Sequence, residues 1–318
     1  MTALTGPAPT VERDRWGRPL IMPLRGTKPV AYTRATTVAK ALDDLEGLMT
    51  WKQRMTALGL VSRRDLYTAV AATSPDDKTA LNRLVKDAAD AGGATSAATT
   101  GTALHAFTER LDRGMDVGHV PPEHTADLDA YQGLAARTGW EVLDVERFVV
   151  DHGRKIAGTA DRVLRIGGQT FIADIKSGSS IDFHHAWAVQ LAIYAWSLPY
   201  DLDKQVTGPW PYPAPSKEWG LVVWLPAGNG MAEARWIDLR AGAEAARTAL
   251  WVRGWRKRRD LLHPFTGPTP PGSGADPVLE AIATAATVDE LTAVWAAHQA
   301  VWTDRHTTAA AARKEAVA

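Results

Sequence analysis

Apolar and polar positions follow two different periods along this chain. From Thr37 to about Ala91 the pattern is mostly helical, with breaks at the stretches LGLVS (58–62) and TSPDDK (73–78). Ser74 followed by Pro75 and two acids predicts a helix start at that point. AGGATSAATTG (91–101) predicts a flexible connector, TALHAFTERLDRG (102–114) a helix closed by Gly114, and PPEHTADLDAYQGLAARTG (121–139) a helix with proline at its start. Then the period shortens. Residues 140–151, 160–166, 169–176 and 219–225 are β-rich runs separated by Gly-containing turns, and Gly167-Gly168 reads as a tight hairpin. HHAWAVQLAIYAWSL (184–198) and the long stretch 238–262 return to helix. Before all this, PLIMPL (19–24) and PVAYTRATTVAKAL (29–42) predict an extended segment that turns into a helix.

The order is helices, then strands, then helices around them, which predicts an α/β core with helical flanks. We divide the chain into a mainly helical region over 1–96, a core over 97–263, a Pro/Gly linker over 264–277 and a small helical region over 278–318. With 318 residues the core can be sizeable without covalent staples.

Composition narrows the chemistry by exclusion. There is no cysteine, which rules out disulfides, thiol catalysis and cysteine-held clusters. The formal net charge is +0, so nucleic-acid binding would need a local basic patch. No run of about 18 apolar residues occurs, and the first residues lack the basic and apolar segments of a signal peptide. The expectation is a cytoplasmic protein without membrane contact.

Residues 156–176, IAGTADRVLRIGGQTFIADIK, place two aspartates in runs that otherwise look buried. Side chains alternate along a strand, so Asp174 and Lys176 share a face roughly 6–7 Å apart. Asp161 is expected to open the preceding strand. If the hairpin forms, Asp161 comes near Asp174 at the end away from the Gly-Gly turn. Two carboxylates there suit a divalent cation held by hard oxygen ligands, and the lysine suits developing negative charge. An inter-strand surface salt bridge fits the same residues.

Four segments in order carry a resemblance. GTALH ends on His105, GTAD on Asp161, ADIK on Asp174 and Lys176, and QLAIY contains Gln190 and Tyr194. Together they resemble the G-T-x-x-H, D, D-x-K and Q-x-x-x-Y motifs of RecB-like exonucleases in the PD-(D/E)XK nuclease superfamily, over about residues 100–225. The resemblance implies a restriction-endonuclease-like α/β/α core with a central mixed sheet and helical N- and C-terminal flanks. It implies Mg²⁺ or Mn²⁺ held by His105, Asp161, Asp174 and the backbone carbonyl of Ile175, with Lys176, Gln190 and Tyr194 as further site residues. It also implies DNA as substrate and cleavage that leaves a 5′-phosphate. Glu109, one turn after His105, and Glu146, on the strand before Asp161, are accessory candidates.

Thr102, Arg154, Ser177, Arg253, Arg256, Lys257 and Arg258 are candidates for contacting DNA. The last four lie near Trp251 and Trp255, an interleaving that suits phosphates and unpaired bases and equally a solvated helix face over buried tryptophans. The chain has no Walker A motif, hence no helicase motor, and lacks the cysteines of the CRISPR-associated RecB-like exonucleases. It resembles the stand-alone bacteriophage versions, which implies a role in phage DNA recombination, repair or degradation, with the C-terminal helices available to a recombination or replication partner. Two rivals remain: a structure-selective or nicking endonuclease on the same core, and a non-catalytic DNA-binding or assembly protein that keeps the fold.

Overall fold

The computed structural model describes residues 11–182, 184–264 and 276–317, side chains 96–99 apart. Most of the linker expected over 264–277 therefore lies outside the described residues. The chain forms two compact units divided at Arg256/Lys257.

The first unit opens with an arm of short strands. β1 (Leu20–Ile21) pairs antiparallel with β2 (Val30–Ala31), and β3 (Thr33–Arg34) runs straight into α1 (Ala35–Ala39). Three helices follow: α2 (Glu46–Ser62), α3 (Arg64–Ala72) and α4 (Lys78–Ala91). Two expectations fail here. The LGLVS stretch does not break the helix, because α2 runs through it to Ser62. Ser74 does not cap α4 either: it heads a turn that accepts the Asp77 amide at 3.0 Å, and Asp77 is the cap, its carboxylate accepting the Ala80 amide at 2.9 Å.

α5 (Ser96–Asp112) absorbs half of the expected connector, and α6 (Pro122–Thr138) ends on Gly139 in the left-handed conformation. The sheet strands are β4 (Glu141–Asp151), β5 (Ile156–Ile166) and β6 (Gln169–Lys176). After α7 (His184–Trp196) come β7 (Leu198–Asp201), β8 (Val206–Thr207), β9 (Trp219–Trp224), β10 (Glu233–Asp238) and α8 (Leu239–Trp255). The alternation in EARWID, which is β10, is a strand signal the sequence reading passed over.

Among the described residues the main sheet has eight strands in the order β10-β9-β6-β5-β4-β7-β8, with β3 beside β5. It is mixed: β6 and β9 run parallel, as do β3 and β5, and the other pairs are antiparallel. Both faces are covered. On one, Val163, Ile172 and Val222 meet Val38 of α1, Leu191 and Tyr194 of α7 and Ala246 of α8. On the other, Leu164, Ala173, Ile175 and Leu221 meet Tyr131 and Leu134 of α6. This is the helix-sheet-helix sandwich expected, and coverage on both sides explains why β6 reads as a nearly continuous apolar run. Each fully buried Leu, Ile or Val in these layers contributes about 1.5–3 kcal/mol.

One detail of the sheet places the site. β4 occupies one edge of β5 along its whole length. The other edge is shared: β3 pairs with Ile156 and Ala157, and β6 pairs with residues 162–166. Residues 158–161 lie in the gap between those two partners.

Among its described residues the second unit has a three-helix cluster of α9 (Pro277–Thr284), α10 (Val288–His298) and α11 (Asp304–Val317) around Val278, Ile282, Ala285 and Leu291. Asp276 caps α9 through the amides of Val278 and Leu279 and also meets Nε2 of the buried His306 at 2.8 Å.

Candidate active site

The two aspartates meet because of the hairpin register. Arg162 pairs with Ala173, so the next step sets Asp161 opposite Asp174. Asp161 does not open its strand, as the sequence suggested; β5 begins five residues earlier, at Ile156. Ladder pairing with β6 stops at Arg162, and the Asp161 side chain takes over, with Oδ2 accepting the Ile175 amide at 3.1 Å.

Asp174 is 1% exposed. Its Oδ1 accepts from Gln190 Nε2 at 3.3 Å. Its Oδ2 lies against the Lys176 ammonium, yet no donor is aligned on it as a hydrogen bond. The lysine also stands 5.5 Å from the Trp187 ring centre. The ammonium therefore already neutralises this oxygen, and the two groups form a nearly buried ion pair.

α5 delivers His105, whose Nδ1 is 3.5 Å from Asp161 Oδ2. The helix comes this close because residue 101 is glycine: a Cβ there would stand 2.5 Å from Ser177 Oγ. α7 delivers Gln190 and Tyr194, one turn apart on one face. Gln190 Nε2 also donates to Tyr194 Oη at 3.2 Å. The Tyr194 ring rests on Gly158, where a Cβ would stand 2.6 Å from it.

Charge is under pressure here. Burial pushes the Asp174 carboxyl up to about 6, with repulsion from Asp161 adding to it and Lys176 opposing it. Burial likewise raises Asp161, against the pull of Lys176. Burial lowers His105, which keeps the imidazole neutral and able to act as a ligand at neutral pH. Two buried carboxylates facing each other and a neutral imidazole beside them form a donor set that fits a hard divalent cation. The ligands are not yet gathered around a single point, since no group of three His, Asp or Glu side chains among the described residues has that arrangement. Lys176 holds the place on Asp174 instead.

The accessory acids sit on the same side. Val145 pairs with Arg162 and Arg147 with Ala160, so Glu146 falls opposite Asp161. Its φ of 55° is left-handed, a conformation that costs a non-glycine residue about 1–2 kcal/mol. Burial, then Asp161, push its carboxyl up to about 7. Glu109 pairs with Arg113 at 2.9 Å, and Arg113 also donates to the Val145 carbonyl at 3.2 Å. A cavity of about 370 Å³ opens from Glu146 and Asp161 past Gly158, Gln190 and Tyr194 to the arm.

Sequence reasoning missed Arg162. It is 1% exposed and ties the site together: Nε to Asp112 Oδ2 at 2.5 Å, Nη1 to the Asp161 carbonyl at 2.8 Å, Nη2 to Thr108 Oγ1 at 3.3 Å. Tyr131 Oη donates to the same Asp112 oxygen at 2.7 Å. The network locks α5, which carries His105, to the strand that carries Asp161. The signal available was an arginine at an inward position of an apolar strand, where only a partnered charge survives.

The DNA-contact candidates divide. Ser177 stands at the site against Gly101, and Thr102 next to it is exposed. The segment after Lys176 is tied rather than loose, with Ser177 and Gly178 carbonyls accepting from the Ala227 amide and Trp224 Nε1. Arg154 lies in the β4–β5 turn, paired with Asp151 at 2.8 Å. α8 stops at Trp255, so Arg256, Lys257 and Arg258 are not on the long helix expected over 238–262. Arg253 reaches the Thr37 carbonyl at 3.5 Å, and Arg258 pairs with Asp260 at 2.7 Å. Trp251 and Trp255 are exposed, not buried, and stack with ring centres 5.8 Å apart.

Residues 130–219 match the PD-(D/E)XK nuclease superfamily, so the chain contains a nuclease domain of that class. The match spans Asp161, Asp174, Lys176, Gln190 and Tyr194, and begins downstream of His105. Such domains typically use divalent metal ions and act on DNA. No curated protein matches the chain. Among solved structures, SSO0001 is 17% identical over 48% of this chain and 72% of its own, with a TM-score of 0.22, a likeness too slight to carry function. No helix among the described residues is long and apolar enough to cross a membrane.

Proposed function

We propose that this protein is a metal-dependent DNA exonuclease of the RecB-like type. The observation that carries the metal reading is the meeting of two buried carboxylates across the hairpin, Asp161 opposite Asp174, with the His105 imidazole 3.5 Å from Asp161. His105, Asp161, Asp174 and the Ile175 carbonyl would hold Mg²⁺ or Mn²⁺. The bound cation would supply an activated water and neutralise charge on the scissile phosphate.

The chain's own residues then have separate tasks. The Ile175 amide orients Asp161. Gln190, itself against Tyr194, orients Asp174. Lys176, which lies against Asp174, would place its positive charge near the phosphate or the attacking water. Glu146 and Glu109 stay outside this set: Glu146 lines the cavity, and Glu109 is paired with Arg113.

The exonuclease assignment rests on the resemblance of the Gln190–Tyr194 segment to proteins that process DNA ends. The same resemblance supports a role in phage DNA recombination, repair or degradation, in the cytoplasm of the host, with the C-terminal helices taking a partner. Degradation of end-labelled linear DNA with Mg²⁺, Mn²⁺ or EDTA, beside a closed circle, tests the reading. Metal-dependent loss of the linear DNA alone supports it, and cutting of the circle replaces exonuclease with endonuclease.

A further inference from the structure

The cavity beside the carboxylates has a second wall, built by the arm. Arg13 and Arg34 line it, facing Glu146 and Asp161. Both guanidinium groups converge on one turn. Arg13 Nη1 donates to the Gly17 carbonyl at 3.0 Å, and Arg34 Nη1 is 3.8 Å from where a Gly17 Cβ would stand. Gly17 has φ 72°, so the tight turn that gathers them needs glycine. The backbone on either side is anchored: Arg13 bridges to Pro19, and Arg34 pairs with Ala157 of β5.

Neither arginine has a carboxylate partner among the described residues, whereas Asp14, Arg15 and Arg18 beside them are engaged. Asp14 takes Arg18 at 2.7 Å, and Arg15 lies 3.9 Å from the Trp16 ring centre. Both guanidinium groups are solvent-exposed, and two of them gathered at one turn favour an anion between them. The anion has to reach the cavity, lie across from the acids and leave room for what they hold. About 370 Å³ is within the range of small-ligand sites and fits one nucleotide unit rather than a base pair.

We propose that Arg13 and Arg34 form a phosphate subsite that holds the backbone phosphate neighbouring the scissile one, on a strand that enters the cavity unpaired. The assignment rests on the nuclease reading above and adds residues the sequence motifs do not include. Planar guanidinium forks suit phosphate oxygens. Contacts to phosphate alone carry no base preference, so the subsite fixes the strand's register against the metal centre without selecting sequence.

Single-stranded oligonucleotides with one uncharged methylphosphonate linkage, scanned along the strand, test this. Affinity is read by fluorescence anisotropy in EDTA, where the result does not depend on cleavage, for wild type, Arg13→Gln/Arg34→Gln and Arg15→Gln, which lies outside the cavity. Wild type and Arg15→Gln are expected to lose about 10-fold at one linkage, the discrimination of a single good contact of about 1.4 kcal/mol. The double variant should bind more weakly, ignore that linkage and show a salt slope shallower by about 0.7, one phosphate contact on a single strand. A double variant that keeps the wild-type sensitivity and slope overturns the subsite, as does a wild type that binds no single strand. Failure of the nuclease reading looks different: discrimination present in EDTA, with no metal-dependent cleavage by wild type.

Discussion

Asp161 Oδ2 accepts the Ile175 backbone N–H at 3.1 Å, at the point where ladder pairing between the two strands ends. A side chain therefore does the work of a strand partner, and the Asp161 carboxylate is fixed by the backbone of the neighbouring strand. Asp161→Asn keeps an acceptor oxygen for that amide, and Asp161→Ala does not. Both should lose metal-dependent activity by more than about 100-fold, beyond the 10–100-fold typical of groups that only orient a ligand. Only the alanine variant should also lose stability, by about 1–3 kcal/mol for an unsatisfied buried amide. Denaturant unfolding beside the activity assay separates the two effects.

Gln190 and Tyr194 act on Asp174 in series. Gln190→Ala should lower activity about 10–100-fold, the usual cost of removing a group that orients a ligand. Tyr194→Phe should cost less, because the tyrosine oxygen accepts from Gln190 rather than touching the carboxylate. Steady-state cleavage across metal concentration reads both, as a rise in the metal needed for half-maximal rate. An equal loss in the two variants would contradict the series.

Arg162 is a buried ion-pair partner whose removal strands Asp112. Arg162→Met should destabilise by about 3–5 kcal/mol, the cost of an uncompensated buried charge. Arg162→Met with Asp112→Leu removes both charges and should recover most of that loss in thermal unfolding. The single variant remaining as stable as wild type would show that the pair is not buried as described.

The buried Asp174 sets a pH dependence with a definite sign. Its native value is raised to about 6, against about 4 for an unfolded aspartate. The folded state thus holds the proton more tightly. Stability of the metal-free protein falls as pH rises from about 4 through about 6, and the loss is complete above that. Asp174→Asn carries no such charge and keeps an oxygen for Gln190. It should melt higher than metal-free wild type at pH 8, by the equivalent of roughly 1–3 kcal/mol, with the gap closing as pH falls toward 4. Saturating Mg²⁺ should raise the melting temperature of wild type at pH 8 and leave Asp174→Asn unmoved.

Much of this architecture was legible because strand period and turn chemistry are local. The Gly167-Gly168 hairpin and the alternation in QTFIADIK were enough to bring Asp161 toward Asp174. What stayed hidden depends on partners distant in sequence. Arg162 looks like any strand arginine until α5 supplies Asp112 and Thr108. Arg13 and Arg34 read as surface charge until β3 pairs with Ile156 and Ala157 and turns the arm toward the gap in β5. The helix boundaries that moved did so for local reasons as well: Asp77 outcompetes Ser74 as a cap, and α8 ends at Trp255, leaving the basic run that follows off the helix.

Calorimetric titration of Mn²⁺ into the metal-free protein at pH 8, without DNA, tests the central claim most directly. Wild type should show a saturable site, and His105→Ala, Asp161→Asn and Asp174→Asn should each weaken it by about 100-fold or more. Equal Mn²⁺ binding by wild type and all three variants, or none by wild type, would contradict a metal centre built from these residues.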